Sequence, residues 1–119
     1  VCWPGDPKHL YTTSIALSPD DRYAYYIPGA HGSSHYCGTP VIQFDTRTHE
    51  RKVLAFLFPY YYNKYGYIPS GTFSLDLDER GERLFVLLNG AFNEFSPGGG
   101  DVFGDPCVMV VHIPRSERR

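Results

Sequence analysis

The sequence predicts an all-β chain built from two copies of a four-stranded antiparallel meander. Three observations carry that expectation. Ten prolines and twelve glycines punctuate 119 residues, so no stretch keeps a 3.6-residue apolar period long enough to sustain a helix. Between the breaks lie short runs rich in Val, Ile, Leu, Phe and Tyr, each bounded by polar turn residues. The order of runs and turns also repeats: Ser18 to Tyr26 aligns without a gap on Asp78 to Val86, an offset of 60 residues.

Ser14 to Leu17 is the first run, closed by the turn Ser18-Pro19-Asp20-Asp21. Arg22 to Ile27 follows as a second strand and stops at Pro28-Gly29. Val41 to Phe44 reads as a third, and Asp45-Thr46-Arg47-Thr48-His49 turns it into a fourth, Lys52 to Phe58. The series restarts with Phe73 to Leu77, the turn Asp78 to Gly81, and Glu82 to Leu88, which Asn89-Gly90 is expected to end. A loop containing Gly98-Gly99-Gly100 then leads to Cys107 through Ile113. This last run aligns on the first third strand at an offset of 68, and Pro114-Arg115-Ser116 stands where the next turn belongs.

Four antiparallel strands per repeat, joined by tight turns, describe a β-propeller blade. The third strands are continuously apolar rather than alternating, as sheets covered on both faces require. A seven-stranded β-sandwich is the competing architecture and would alternate more cleanly. The chain then divides into residues 1–10, an N-terminal extension or outer strand; 11–58, a first blade; 59–71, a Tyr-rich inter-blade loop; and 72–119, a second, incomplete blade. A closed propeller takes at least four blades of roughly 40 residues. The expectation is therefore about two blades of a larger propeller, completed by its remaining blades or by self-association. A first residue that is Val1 rather than Met fits a processed or excised piece.

Ser18-Pro19-Asp20-Asp21-Arg22-Tyr23 resembles the turn-and-strand signature of the WD40-like repeats called PD40, found in TolB-type propellers. Asp78-Glu79-Arg80-Gly81-Glu82-Arg83 is similar, with Gly81 at the glycine of the turn. Val41 to Thr48 resembles the third strand and turn of that repeat, with His49 where glycine is usual. The resemblance spans roughly residues 11 to 115. It implies a fold more than a function, because propellers host many.

Composition narrows the partners. Eleven Lys and Arg against thirteen Asp and Glu give a net charge of −2 with no basic stripe, which argues against nucleic acid. No apolar run approaches the ~20 residues of a membrane helix. Three cysteines, Cys2, Cys37 and Cys107, are too few for a disulfide scaffold. The aromatic, loop-rich, Lys-poor composition suits an extracellular or periplasmic protein. No GxSxG elbow or phosphate-cradling loop is present, and the paired carboxylates Asp20/Asp21 and Asp76/Asp78 sit at turns, where they cap hairpins.

Two segments carry candidate chemistry. Pro28 to Pro40 holds His31, His35, Tyr36 and Cys37, and adjacent blades would bring Cys107 near Cys37. His31, His35, Cys37 and Cys107 are thus candidate ligands for a structural Zn²⁺, whose site takes imidazole and thiolate. The competing reading makes the thiols small buried hydrophobes and the imidazoles surface groups. The second segment, Phe58 to Pro69, packs five tyrosines into eight residues with Asn63 and Lys64. Tyrosine rings stack on sugars while their hydroxyls hydrogen-bond, and a tyrosine also serves as general acid or base. The competing reading has these rings fill the cleft between blades.

These two segments, with the ending Cys107 to Arg118, resemble seven-bladed polysaccharide lyases of the ulvan-lyase type. That resemblance implies β-elimination on uronate-containing polysaccharide and a structural zinc. It makes His31, His35 and Tyr61 catalytic candidates, and Tyr36, Tyr61, Lys64 and Tyr65 substrate-binding candidates. With no Arg in either long loop, Lys64, a histidine or other blades would have to neutralise the uronate carboxylate. The alternative function is a non-catalytic propeller scaffold that binds a protein or glycan.

Overall fold

The computed structural model describes residues 12, 14–28, 38–92 and 104–118. It is mostly β, in two antiparallel sheets. Sheet 1 runs in the order β1 (Ala16–Leu17), β2 (Tyr23–Tyr26), β3 (Pro40–Asp45) and β4 (Arg51–Phe56); after helix α1 (Leu57–Tyr65), sheet 2 runs β5 (Tyr67–Leu77), β6 (Arg83–Phe92) and β7 (Cys107–His112). A 3₁₀ turn, Arg115–Glu117, follows. Each sheet is a meander, as the turn chemistry predicts. Residues 1–10 of the expected extension lie outside the described residues.

The equivalent turns are built alike. Ser18 N–H donates to Tyr23 O at 2.8 Å and Asp78 N–H to Arg83 O at 3.0 Å; Asp21 and Gly81 close the two turns with N–H bonds of 2.9 and 3.0 Å. Both stand at positive φ, 59° and 73°, so this position needs the left-handed conformation that glycine adopts freely and aspartate tolerates. His49, in the β3–β4 turn, likewise has φ 62°, and its ring stacks on Phe44 at 5.9 Å.

The third strands correspond at an offset of 67 rather than 68. Thr46 N–H donates to Arg22 O and Ile113 N–H to Glu82 O, each at 2.8 Å, while Tyr25 pairs Gln43 and Phe85 pairs Val110. Apolar content alone aligns the two runs equally well in either register. The ladder decides it, and one residue of slip would send every side chain to the other face.

Sheet 1 lays the face carrying Tyr23, Tyr25, Ile27 and Val41 onto the face of sheet 2 carrying Leu75, Leu84, Val86, Leu88 and Met109, in one buried cluster. Gln43, on the docked face at 2% exposure, donates to Tyr25 Oη (3.1 Å) and to Glu117 O (2.7 Å), so its burial leaves no amide hydrogen-bond deficit of the costly kind. Ala24 and Ile42, on the opposite face of sheet 1, are also buried. β3 is therefore covered on both sides, as its unbroken apolar run predicts.

β7 departs from that expectation. Met109 is buried, but Val108 and Val110 are 62% and 40% exposed, and their β6 partners Leu87 and Phe85 are 40% and 37% exposed. The far face of sheet 2 thus carries four exposed apolar side chains beside Arg83, whose guanidinium lies 5.9 Å from the Phe85 ring centroid. It is also the equivalent, through the offsets of 60 and 67, of the face by which sheet 1 docks.

Three boundaries differ from the sequence reading. The expected loop at 59–71 is α1 followed directly by β5. Pro59 does not prevent the helix, because it stands in the first turn, where backbone N–H groups have no intrahelical partner. Gly66, at φ 70°, ends the helix by donating its N–H to the last-turn carbonyls of Tyr61 and Tyr62. Asn89-Gly90 does not end β6. Gly90 pairs with Pro69, and a Cβ there would overlap the Ile68 carbonyl oxygen, so the glycine permits close backbone approach rather than a turn.

Candidate functional site

The Tyr-rich segment is a helix, and its 3.6-residue period sorts the rings. Phe58 and Tyr62, four residues apart and stacked at 5.4 Å, pack against buried Ile68 and Ala91. Leu57 and Tyr61 face the main core. Tyr60, Lys64 and Tyr65 face outward, both rings 56% exposed.

Lys64 joins the two exposed rings. Its Nζ lies 5.5 Å from the Tyr60 centroid and 5.4 Å from that of Tyr65, within cation–π range, and donates to Tyr60 Oη at 3.3 Å. Those hydroxyls, Tyr60 first, raise the ammonium above its ordinary pKa. Tyr61 stacks on Tyr65 at 6.0 Å and meets Tyr60 edge-on at 5.0 Å. Burial, then its tyrosine neighbours, push the Tyr61 hydroxyl up. At neutral pH it is a proton donor, not a base.

Behind Tyr65 runs a groove of about 430 Å³ along β7, rimmed by Tyr61, Tyr65, Tyr67, Phe92, Cys107 and Val108. Tyr67 Oη donates to Asp105 O at 2.6 Å. Burial and the adjoining Cys107 thiol raise the Tyr67 hydroxyl well above its ordinary value. Burial also raises Cys107, opposed by its hydrogen bond with Tyr67, and the group is held as a thiol.

Of the residues singled out from sequence, Tyr61, Lys64, Tyr65 and Cys107 come together around α1 and the start of β7. His31, His35, Tyr36 and Cys37 lie outside the described residues. Among the described residues no group of three or more His, Cys, Asp or Glu is placed to hold a metal ion. Cys107 lies against the Tyr67 hydroxyl, and the other three candidate zinc ligands fall outside the described residues. In the ladder Cys107 is the counterpart of Pro40, three positions beyond Cys37.

Sequence reasoning took Tyr60 and Tyr67 only as members of the Tyr-rich segment and passed over Phe92. The spacings Tyr60/Lys64 and Tyr61/Tyr65 held the signal for the helix face, since residues four apart share one side. Among the described residues no helix is long and apolar enough to cross a membrane. Comparisons with protein-family models, curated proteins and solved structures gave no match to this chain.

Proposed function

We propose that this chain is part of a β-propeller whose α1 surface binds an acidic glycan. The observation that carries the reading is the Tyr60–Lys64–Tyr65 platform, two half-exposed rings with one ammonium between them. Sugar C–H faces stack on tyrosine rings, and Lys64, kept charged by its hydroxyl partner, pairs with a uronate carboxylate. The head-to-tail packing of two like meanders supports the propeller architecture. The resemblance to ulvan-type lyases suggests the ligand class.

Burial keeps Tyr61 protonated, so in an elimination it would serve as the acid, and the base candidates His31 and His35 lie outside the described residues. Among the described residues the histidines are His49, in the β3–β4 turn, and His112, on β7. The test is a calorimetric titration with oligogalacturonate and with a neutral oligosaccharide of equal length. Tyr65→Ala should weaken both by about tenfold, the ~1.4 kcal/mol expected of a lost stacking ring. Lys64→Gln should remove only the preference for the acidic chain. Equal binding by wild type and Tyr65→Ala would refute the platform. A rise in unsaturated-uronate absorbance during the titration would instead favour the lyase.

A further inference from the structure

Thr39, just before β3, has a backbone conformation that its side chain resists. Its φ is 48°, and it follows Gly38 at φ 85°. A β-branched residue is strained at positive φ and stays there only where its surroundings fix it. Here they do. The Thr39 side chain is fully buried, and its Oγ1 donates to the Pro69 carbonyl, near the start of β5, at 2.5 Å.

The carbonyls of this pair meet the start of α1. Leu57 N–H donates to Thr39 O at 3.1 Å and Phe58 N–H to Gly38 O at 3.0 Å. The third helical position is Pro59, which has no N–H. First-turn donors that no intrahelical carbonyl can reach are thus satisfied from the residues leading into β3. α1 carries no local substitute. Its N-cap residue, Phe56, makes no side-chain bond to the helix, and no acidic residue stands in the first turn. Gly66 closes the far end separately. The platform is therefore held at two places, with Tyr60 in the first turn and Lys64 and Tyr65 in the last.

We infer that Thr39 is a positioning residue for the Tyr60–Lys64–Tyr65 platform. Its hydroxyl, anchored on Pro69, holds the Gly38 and Thr39 carbonyls over the first turn of α1 and so keeps the Tyr60 ring beside Lys64. The grip on the helix start stands on these hydrogen bonds. Its bearing on a ligand rests on the acidic-glycan reading above.

The test compares the unaltered chain with Thr39→Gly, which takes the same φ without strain but lacks the hydroxyl, and with Thr39→Ser, which keeps the hydroxyl. Amide exchange without ligand is followed by NMR. In Thr39→Gly, exchange at Leu57 and Phe58 should quicken about fivefold relative to Val86, a buried residue in the middle strand of sheet 2. A general loss of stability would move all three together. The ring-current shift that Tyr60 imposes on the Lys64 ε-methylene should shrink in the same variant. Thr39→Ser should restore both signals. Oligogalacturonate should bind Thr39→Gly about threefold more weakly, part of the tenfold that a lost stacking ring is worth, and Thr39→Ser as tightly as the wild type. Unchanged exchange at Leu57 and Phe58 in Thr39→Gly, or equal quickening in both variants, would overturn the role of Thr39. If exchange and ring-current shift respond as expected but the wild type ignores oligogalacturonate, the positioning role is upheld and the glycan reading is refuted.

Discussion

Asp78 does alone in the second meander what Ser18 and Asp20 do together in the first. Ser18 Oγ accepts the Tyr23 N–H at 2.9 Å and donates to Asp20 at 2.7 Å. Asp78 accepts the N–H groups of Glu82 (2.7 Å) and Arg83 (3.2 Å) and pairs with the Arg83 guanidinium at 3.1 Å. The Glu82 N–H first, and the Arg83 contacts beyond it, hold the Asp78 carboxyl below its usual range against a smaller effect of burial. A depressed carboxyl contributes stability that is present above its unfolded pKa of about 4 and lost as pH falls through the folded value. Asp78→Asn should therefore have a lower urea midpoint at pH 7, and the gap to wild type should narrow below about pH 4. A gap constant with pH would show that the charge adds nothing. Turn residues of this kind were legible in the sequence because their chemistry is local. His49 in the β3–β4 turn stands at positive φ as well, a conformation that glycine adopts more freely.

At the scale of the element, the β runs were readable and the helix was not. Strand signals rest on composition and on nearby turns, and β2, β3, β4 and β7 fall within about two residues of their expected ends. α1 is nine residues of mostly aromatic side chains with a proline inside, a composition poor in intrinsic helix propensity. Tertiary contact decides it, through Leu57 and Tyr61 against the core and Phe58 and Tyr62 against Ile68 and Ala91. Its stop signal was nonetheless present in Gly66. Gly66→Ala puts a Cβ into the left-handed conformation and should cost about 1–2 kcal/mol, measured as a fall in urea midpoint at unchanged m. An unchanged midpoint would mean that the helix end relaxes elsewhere.

For the whole molecule, adjacent residues on β6 report on opposite faces of sheet 2. Leu84 is fully buried between the sheets and Phe85 faces out. Leu84→Ala should cost about 2–5 kcal/mol, whereas Phe85→Ala should stay within about 1 kcal/mol. Chemical denaturation of the two variants checks this; similar losses would mean that the outer face is covered. The order of strands and turns was legible in the sequence, since the Ser18–Asp21 turn recurs at Asp78–Gly81. The register of the third strands was not, because two uniformly apolar runs match equally well when slid by one residue and only the ladder discriminates.

The contact between the two sheets joins unlike surfaces, the docked side of one against the reverse side of the next. A heterologous contact of that kind has no built-in final member, because the rotation that generates the second unit also generates a berth for a third. Such a progression ends by returning to its own start or beneath a dissimilar cap, and otherwise it propagates as a filament. The valines and the phenylalanine turned outward on β6 and β7 thus occupy the surface on which a third sheet of the same kind would dock, and a charge introduced among them is the substitution that would oppose it.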